Sequence, residues 1–365
     1  MNVPVELDPA ICTGLAKAWN LAADASFAAL GNGLINRTLL VTNDGKRYVL
    51  QRINTHVFTD PALLMHNYRA VTTHLAQQRA RGAYAYSSLE LALTATGEAA
   101  AVLPDGSWWR MYHYVGDTFT FTTADNPSLA REAGRGFGAF ASALAGLDAA
   151  GIRAVIPHFH DPVRRFAAFR KALADDRVGR ASGAGEVCKA ALHFADLLPH
   201  WQALQAQGLP WRITHNDCKL NNLLFDAAGH AICVIDLDTI MPGSILFDFG
   251  DMCRIILNPV AEDSTDLDRI AARADYFAAI AEGYVDGAGA MLTALERDNL
   301  AFAARMLTGV IGLRFITDYL DGDHYFRTTH AEHNLERARN QFTLFAALTE
   351  HEHDLQALVP VLTPG

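Results

Sequence analysis

"ITHNDCKLNN", residues 213–222, places a His, an Asp, a Lys and three Asn within ten positions, and a later apolar run closes on "VIDLDT" at 234–239. A lone Asp or Asn in such a turn ordinarily caps a helix or closes an Asx turn. Here the spacing is more demanding. "WRIT" is β-rich and leads into the loop, so Asp217 projects from a rigid edge. Asn222 follows five residues on, and a further β-rich run ends at Asp236. Oxygen donors from Asn and Asp suit Mg²⁺, and an Asp left off the metal can take a proton from a hydroxyl. H-x-D-x-x-x-x-N followed by an Asp is the arrangement of phosphoryl transfer, in which base and metal face one γ-phosphoryl group from different sides. His215, Asp217, Asn222 and Asp236 occupy it.

Outward from this loop the chain changes character. Residues 35–53, "INRTLLVTNDGKRYVLQRI", form two β-rich runs around Asn43-Asp44-Gly45, a hairpin signal. Residues 60–79 begin with an N-cap Asp and a Pro, then follow helical spacing; "SSLELALT" and "SWWRMYHYV" are two further strand candidates. From about residue 126 the pattern is helical, in "SLAREAGRGFGAFASALAGL", "DPVRRFAAFRKALADD" and "EVCKAALHFADLLPHWQALQ". "WRIT", "NLLF" and "AICVIDL" interrupt the helices as a loop-and-hairpin insert. The expected fold is α+β and bilobal: a small β-rich nucleotide-binding lobe over 1–115 and a large helical lobe over 116–365 that holds the catalytic loop.

The bulk properties narrow the partners. With 365 residues the chain exceeds one comfortable core, and a net charge of -10 argues against a nucleic-acid partner. Five Cys without a CxxC pair fit reduced thiols in a cytoplasmic protein better than disulfides or zinc. Glu6 and Asp8 stand where a signal peptide needs positive charge, and no uncharged run reaches a membrane span, so no membrane partner is expected. The sequence is silent on oligomeric state.

"HNDCKLNNLLFD" with "AICVIDLDTIMPGSILFDFGD" resembles the aminoglycoside phosphotransferase and choline kinase superfamily, which has a protein-kinase-like fold. Within it the chain is most similar to N-acetylhexosamine 1-kinases, through "GNGLINRT", "YVLQRINTHVFTDPALLMHN" and "GLRFITDYLDGDHYF" as well. The resemblance implies ATP as co-substrate, Mg²⁺ as cofactor and a small-molecule sugar as acceptor, with a sugar 1-phosphate as product. It makes Asp217 the catalytic base, Asn222 and Asp236 metal ligands, and His215 a buttress of the loop. Lys219 either meets a phosphate or is a solvated charge, and Asp238 either touches metal or substrate or serves the turn. The "DFG" at 248–250 is not the metal-binding motif of protein kinases. Asp248 and Asp251 open a helix, and the resemblance gives Asp248 a bracing role.

On the nucleotide side, Gly31, Asn32 and Gly33 precede the first hairpin, where a loop can cover ATP phosphates. The strand Lys and helix Glu of protein kinases are missing. Of the adjacent Gln51 and Arg52 only one can face the site, and Arg52 is the choice because a guanidinium grips phosphate oxygens bidentately. Backbone groups of Tyr112, His113, Tyr114 and Val115 are expected at adenine, as in related hinges. On the acceptor side, Arg314 interrupts a largely apolar helix, a costly position unless paired or used on a ligand. It either pairs with Asp318 one turn on or, by the resemblance, binds the sugar together with Asn216. An aminoglycoside, choline or homoserine-like acceptor, and nucleotide binding without transfer, are the alternatives.

Overall fold

The computed structural model describes residues 7–31 and 35–361, and separates into two compact units. The first comprises Met1–Thr118 and Leu147–Ile156; the second comprises Phe119–Gly146 and Pro157–Gly365. The sequence reading ended the first lobe at 115 and did not anticipate that 147–156 return to it. Two side chains anchor that return: the His66 ring meets the Gly151 carbonyl at 2.9 Å, and Asn67 Nδ2 donates to the Arg153 carbonyl at 2.7 Å.

In the first unit, strands β1 (Ser26–Ala29), β2 (Arg37–Asn43), β3 (Lys46–Arg52), β4 (Ala101–Val102) and β5 (Trp108–His113) form an antiparallel sheet in the order β1-β2-β3-β5-β4. The β2–β3 hairpin turns on Asp44 and Gly45, both at positive φ (49° and 72°), which matches the twist of the flanking strands. Helix α1 (Pro9–Trp19) covers one face, burying Leu15 and Trp19 against Leu39, Leu50, Trp109 and Met111. Helix α2 (Pro61–Ala80) starts where expected: Asp60 Oδ1 accepts the Leu63 N–H at 2.9 Å and Pro61 fills the first turn. "SSLELALT" does not become a strand. β4 already occupies the outer edge of β5 at Trp108 and Trp109, and the stretch meets β5 through an isolated bridge between Leu91 and Tyr112.

The second unit carries α3 (Pro127–Leu144), α4 (Pro162–Asp175), α5 (Gly185–Leu192) and α6 (Leu198–Ala206), followed by the insert. In the insert, β6 (Arg212–Thr214) pairs with β9 (Met241–Gly243), and β7 (Leu223–Phe225) with β8 (Ala231–Val234). Helices α7 (Ile245–Ile256), α8 (Ala274–Ala288), α9 (Ala294–Arg297), α10 (Leu300–Asp321) and α11 (His333–Ala357) complete it. The single helix expected over 186–205 is two, joined by a 3-10 turn at His193–Leu197, because Pro199 has no N–H to continue the ladder. Among the described residues α10 is the one helix long and apolar enough to cross a membrane; 89% of that stretch is buried within the protein.

Glycines let α3 and α8 meet at backbone contact. A Cβ on Gly283 would stand 2.0 Å from the Arg131 carbonyl oxygen, and one on Gly134 2.4 Å from that of Ile280. Backbone atoms cannot turn aside as a side chain can. Gly283→Ala should therefore destabilise the protein by about 1–3 kcal/mol, as overpacking does. An unchanged urea midpoint would contradict this close approach.

Candidate active site

The loop between β6 and β7 is fixed from below by Asp248 in α7. Its Oδ2 accepts the His215 N–H at 3.0 Å and its Oδ1 the Asn216 N–H at 2.7 Å. His215, wholly buried, ties the loop to the end of β8. Its Nε2 lies 2.9 Å from the Ile235 carbonyl, and its Nδ1 accepts the Asp217 N–H at 3.3 Å. One neutral tautomer, protonated on Nε2, satisfies both bonds. Phe137 and Phe140 close on the ring edge-on.

Asn216 takes a left-handed backbone (φ 63°) and is 3% exposed. Its Nδ2 donates to the Thr214 and Thr239 carbonyls, both at 3.0 Å. The amide nitrogen expected at the acceptor is thus engaged inside the loop, where Asn216 holds the turn together.

Asp217 emerges with two partners. Lys219 Nζ lies 2.9 Å from Oδ1, and Asn222 Nδ2 donates to Oδ2 at 3.0 Å and to the Asp217 carbonyl at 2.8 Å. Lys219, about a third exposed, thus holds the carboxylate. Each carboxylate oxygen keeps a lone pair for an incoming hydroxyl. With its amide nitrogen on Asp217, Asn222 presents its oxygen elsewhere. β7 and β8 pair Leu223 with Val234, and the Ile235 N–H reaches the Asn222 carbonyl at 2.9 Å, so Asn222 and Asp236 stand at the same end of one hairpin. Asp236 is exposed and left-handed (φ 59°); Asp238, in the following 3-10 turn, is buried. The described residues contain no cluster of three His, Cys, Asp or Glu side chains suited to a metal. Oxygen donors of the Asn and Asp type at one hairpin end fit Mg²⁺, which takes few protein ligands and completes its shell with water and phosphate oxygens.

Electrostatics separate the carboxylates. Burial would raise Asp217, but the Lys219 ammonium overrides it and holds the group at about 2. Asp248 behaves oppposite: burial wins over its hydrogen bonds and lifts it to about 6. The kcat–pH profile should therefore carry no limb from Asp217 between neutrality and about pH 4. A limb near 6 is expected instead, as protonated Asp248 loses an acceptor for a loop N–H. Stability should move the other way. A carboxyl whose folded value lies above its unfolded 3.8 binds its proton more tightly when folded, so Asp248 stabilises as pH falls from about 6 towards 3.8. Activity that stays level down to about pH 4 would contradict this role for Asp248.

Several expected residues land differently. Strand alternation puts Arg52 on the α1 face of the sheet with Leu50 and Trp109, half exposed and 3.8 Å from Asp105. Gln51 and Arg110 share the other face. Arg110 is 1% exposed, donates to Gln51 Oε1 at 2.9 and 2.6 Å, and lies 4.6 Å over the Tyr68 ring of α2. Arg52 thus points away from α2, while Gln51 and the buried Arg110, two residues before the expected hinge, face it. At that hinge the N–H groups of His113 and Tyr114 already donate to the Glu90 and Arg47 carbonyls, so neither can donate to a base. Gly31 has φ 67°; Asn32 and Gly33 lie outside the described residues.

Arg314 is 9% exposed and does not pair with Asp318. That carboxylate accepts the N–H groups of His324, Tyr325 and Phe326 at 2.8–2.9 Å and Asn334 Nδ2 at 2.9 Å, folding "DGDHYF" into a loop. The loop delivers Tyr325, whose hydroxyl receives Arg314 Nη2 at 3.2 Å. The guanidinium also lies 4.5 Å over Phe159. His160, overlooked in the sequence, meets the Asn216 carbonyl at 2.8 Å through Nε2. Burial and the Arg314 charge hold it neutral, at about 3.

The site and the two units define an α+β fold of the protein-kinase type. The chain belongs to the phosphotransferase enzyme family (APH), whose family model matches residues 26–292. Among solved structures it is similar to a choline/ethanolamine kinase family protein from Mesorhizobium loti, at 17% identity and TM-score 0.56, over 91% of this chain and 92% of that one. It is similar to a spectinomycin phosphotransferase, APH(9)-Ia, in complex with ADP and spectinomycin, at 11% identity and TM-score 0.56, over 94% and 100%. An aminoglycoside phosphotransferase from Alicyclobacillus acidocaldarius matches at 12% identity and TM-score 0.54, over 96% and 98%. At these identities the likeness is one of fold.

Proposed function

We propose that the protein is an ATP- and Mg²⁺-dependent kinase that phosphorylates a sugar hydroxyl, with the anomeric hydroxyl as the favoured position. The observation that carries this is the Asp217 carboxylate, held ionised by Lys219 and oriented by Asn222, with Asn222 and Asp236 at one hairpin end. Asp217 accepts the hydroxyl proton as the acceptor oxygen bonds to the γ-phosphorus. The bond to the β–γ bridging oxygen breaks and ADP leaves. Bound Mg²⁺ supplies charge neutralisation at the phosphates, and Asn222 and Asp236 are the residues that would hold it. A carboxylate at about 2 is a weak base, which matches the anomeric hydroxyl, the most acidic of a sugar's hydroxyls.

Arg314 above Phe159 weighs against a polycationic aminoglycoside or a choline head group, each of which would meet a fixed positive charge there. A coupled ADP-release screen over neutral sugars, sugar acids, aminoglycosides, choline and homoserine tests the reading. Turnover confined to sugars supports it. Turnover of another alcohol alone, or Mg·ATP binding with no acceptor phosphorylated, defeats it.

A further inference from the structure

Two arginines grip Phe159 from different sides. The Arg314 guanidinium lies over its ring, and Arg165 Nε, from α4, donates to its carbonyl at 3.0 Å. Neither makes an ion pair with a carboxylate among the described residues. Asp318, the natural partner of Arg314, is consumed by the 324–326 backbone, and Asp161 caps α4 through the Val163 and Arg164 N–H groups. The next residue, His160, is 3% exposed, hydrogen bonds the catalytic loop at Asn216, and keeps a buried Nδ1 without a partner. Burial and the neighbouring Arg314 charge pull Arg165 down to about 10, and His160 feels Arg314, Arg165 and Asp217 together. Two like charges brought together with little water cost free energy. Ring stacking offsets part of that cost but supplies no counter-charge.

We propose that Arg165 and Arg314 bind an anionic group, carboxylate or phosphate, carried by the phosphoryl acceptor, so that the substrate is a sugar acid or a sugar phosphate. This rests on the sugar-kinase reading of Asp217 and revises the neutral acceptor expected from sequence. A neutral acetamido oxygen can accept hydrogen bonds from the pair but gives neither arginine a direct ion pair, leaving Arg165 only the longer-range attraction of Asp161, whereas an anion satisfies donors and charge at once. Arg165 and Arg314 are binding residues, with no part in the proton transfer.

The test compares kcat/KM for a hexuronic acid and its parent hexose, and for an N-acetylhexosamine 6-phosphate and its unphosphorylated parent, in the wild type, Arg165→Gln and Arg165→Lys. The wild type should favour one charged acceptor over its parent by about tenfold or more, chiefly through KM. Whichever pair shows the preference identifies the anion as carboxylate or phosphate. Arg165→Gln should reduce that ratio about tenfold, with Arg165→Lys between the two. Binding of a Mg·ATP analogue, measured by calorimetry, should be the same in all three proteins and certifies that the variants are folded. Preference for the neutral parents, a ratio indifferent to Arg165→Gln, or a loss confined to nucleotide binding each overturns the proposal. Absence of turnover with every sugar defeats the underlying kinase reading as well, a result distinct from turnover without preference.

Discussion

Asp217→Asn is expected to lower kcat by about 10²–10⁴-fold, the usual effect of removing a general base. The amide keeps the carboxylate's shape, so Asn222 and the backbone bonds around it have no steric reason to move. The lost ion pair with Lys219 is at a partly exposed position, so the urea midpoint should shift little. Nucleotide affinity should also hold, since Asn222 and Asp236 are untouched. A variant that is folded, binds Mg·ATP and fails to turn over identifies a residue acting in the transition state. Full activity would remove Asp217 from the chemistry. Simultaneous loss of folding and turnover would make it a structural residue.

The second large effect is on stability. Glu296 is wholly buried; its Oε1 receives Arg212 Nε at 2.7 Å and its Oε2 receives Arg212 Nη2 at 3.0 Å. The same Oε2 accepts the Thr293 N–H and hydroxyl at 2.9 and 2.8 Å, closing a capping box at α9. Arg212 opens β6, the strand that leads to His215. Glu296→Ala strands a largely buried guanidinium and should cost about 3–5 kcal/mol, read from urea unfolding. Replacing both partners, Arg212→Met with Glu296→Leu, should recover much of it, because the loss comes from the unpaired charge. A loss of only a few tenths would mean that water compensates Arg212.

Much of this was legible because it is local. Asp60-Pro61 starts a helix, Asp44-Gly45 turns a hairpin, and the His215–Asp236 spacing sets a loop on a strand pair; each needs only near neighbours in sequence. What escaped depended on distant packing. Nothing around Gln51 and Arg52 says which face α2 will cover, and Arg110, which settles the matter, lies on another strand. Arg314 looked ready to pair with Asp318, yet three backbone N–H groups from a later turn claimed that carboxylate. Asn216 looked like a free amide until Thr239, from beyond the hairpin, supplied its acceptor. Arg165 sits in an ordinary amphipathic pattern and becomes informative only beside Phe159.

The most direct measurement is ³¹P NMR of the enzyme with Mg·ATP and the sugar that gives the fastest ADP release. The expected spectrum shows the γ-resonance of ATP replaced one for one by a phosphomonoester coupled to the anomeric proton, with ADP accumulating and Asp217→Asn leaving ATP intact. Inorganic phosphate as the sole new resonance, or a phosphoester formed equally fast by Asp217→Asn, would contradict the account.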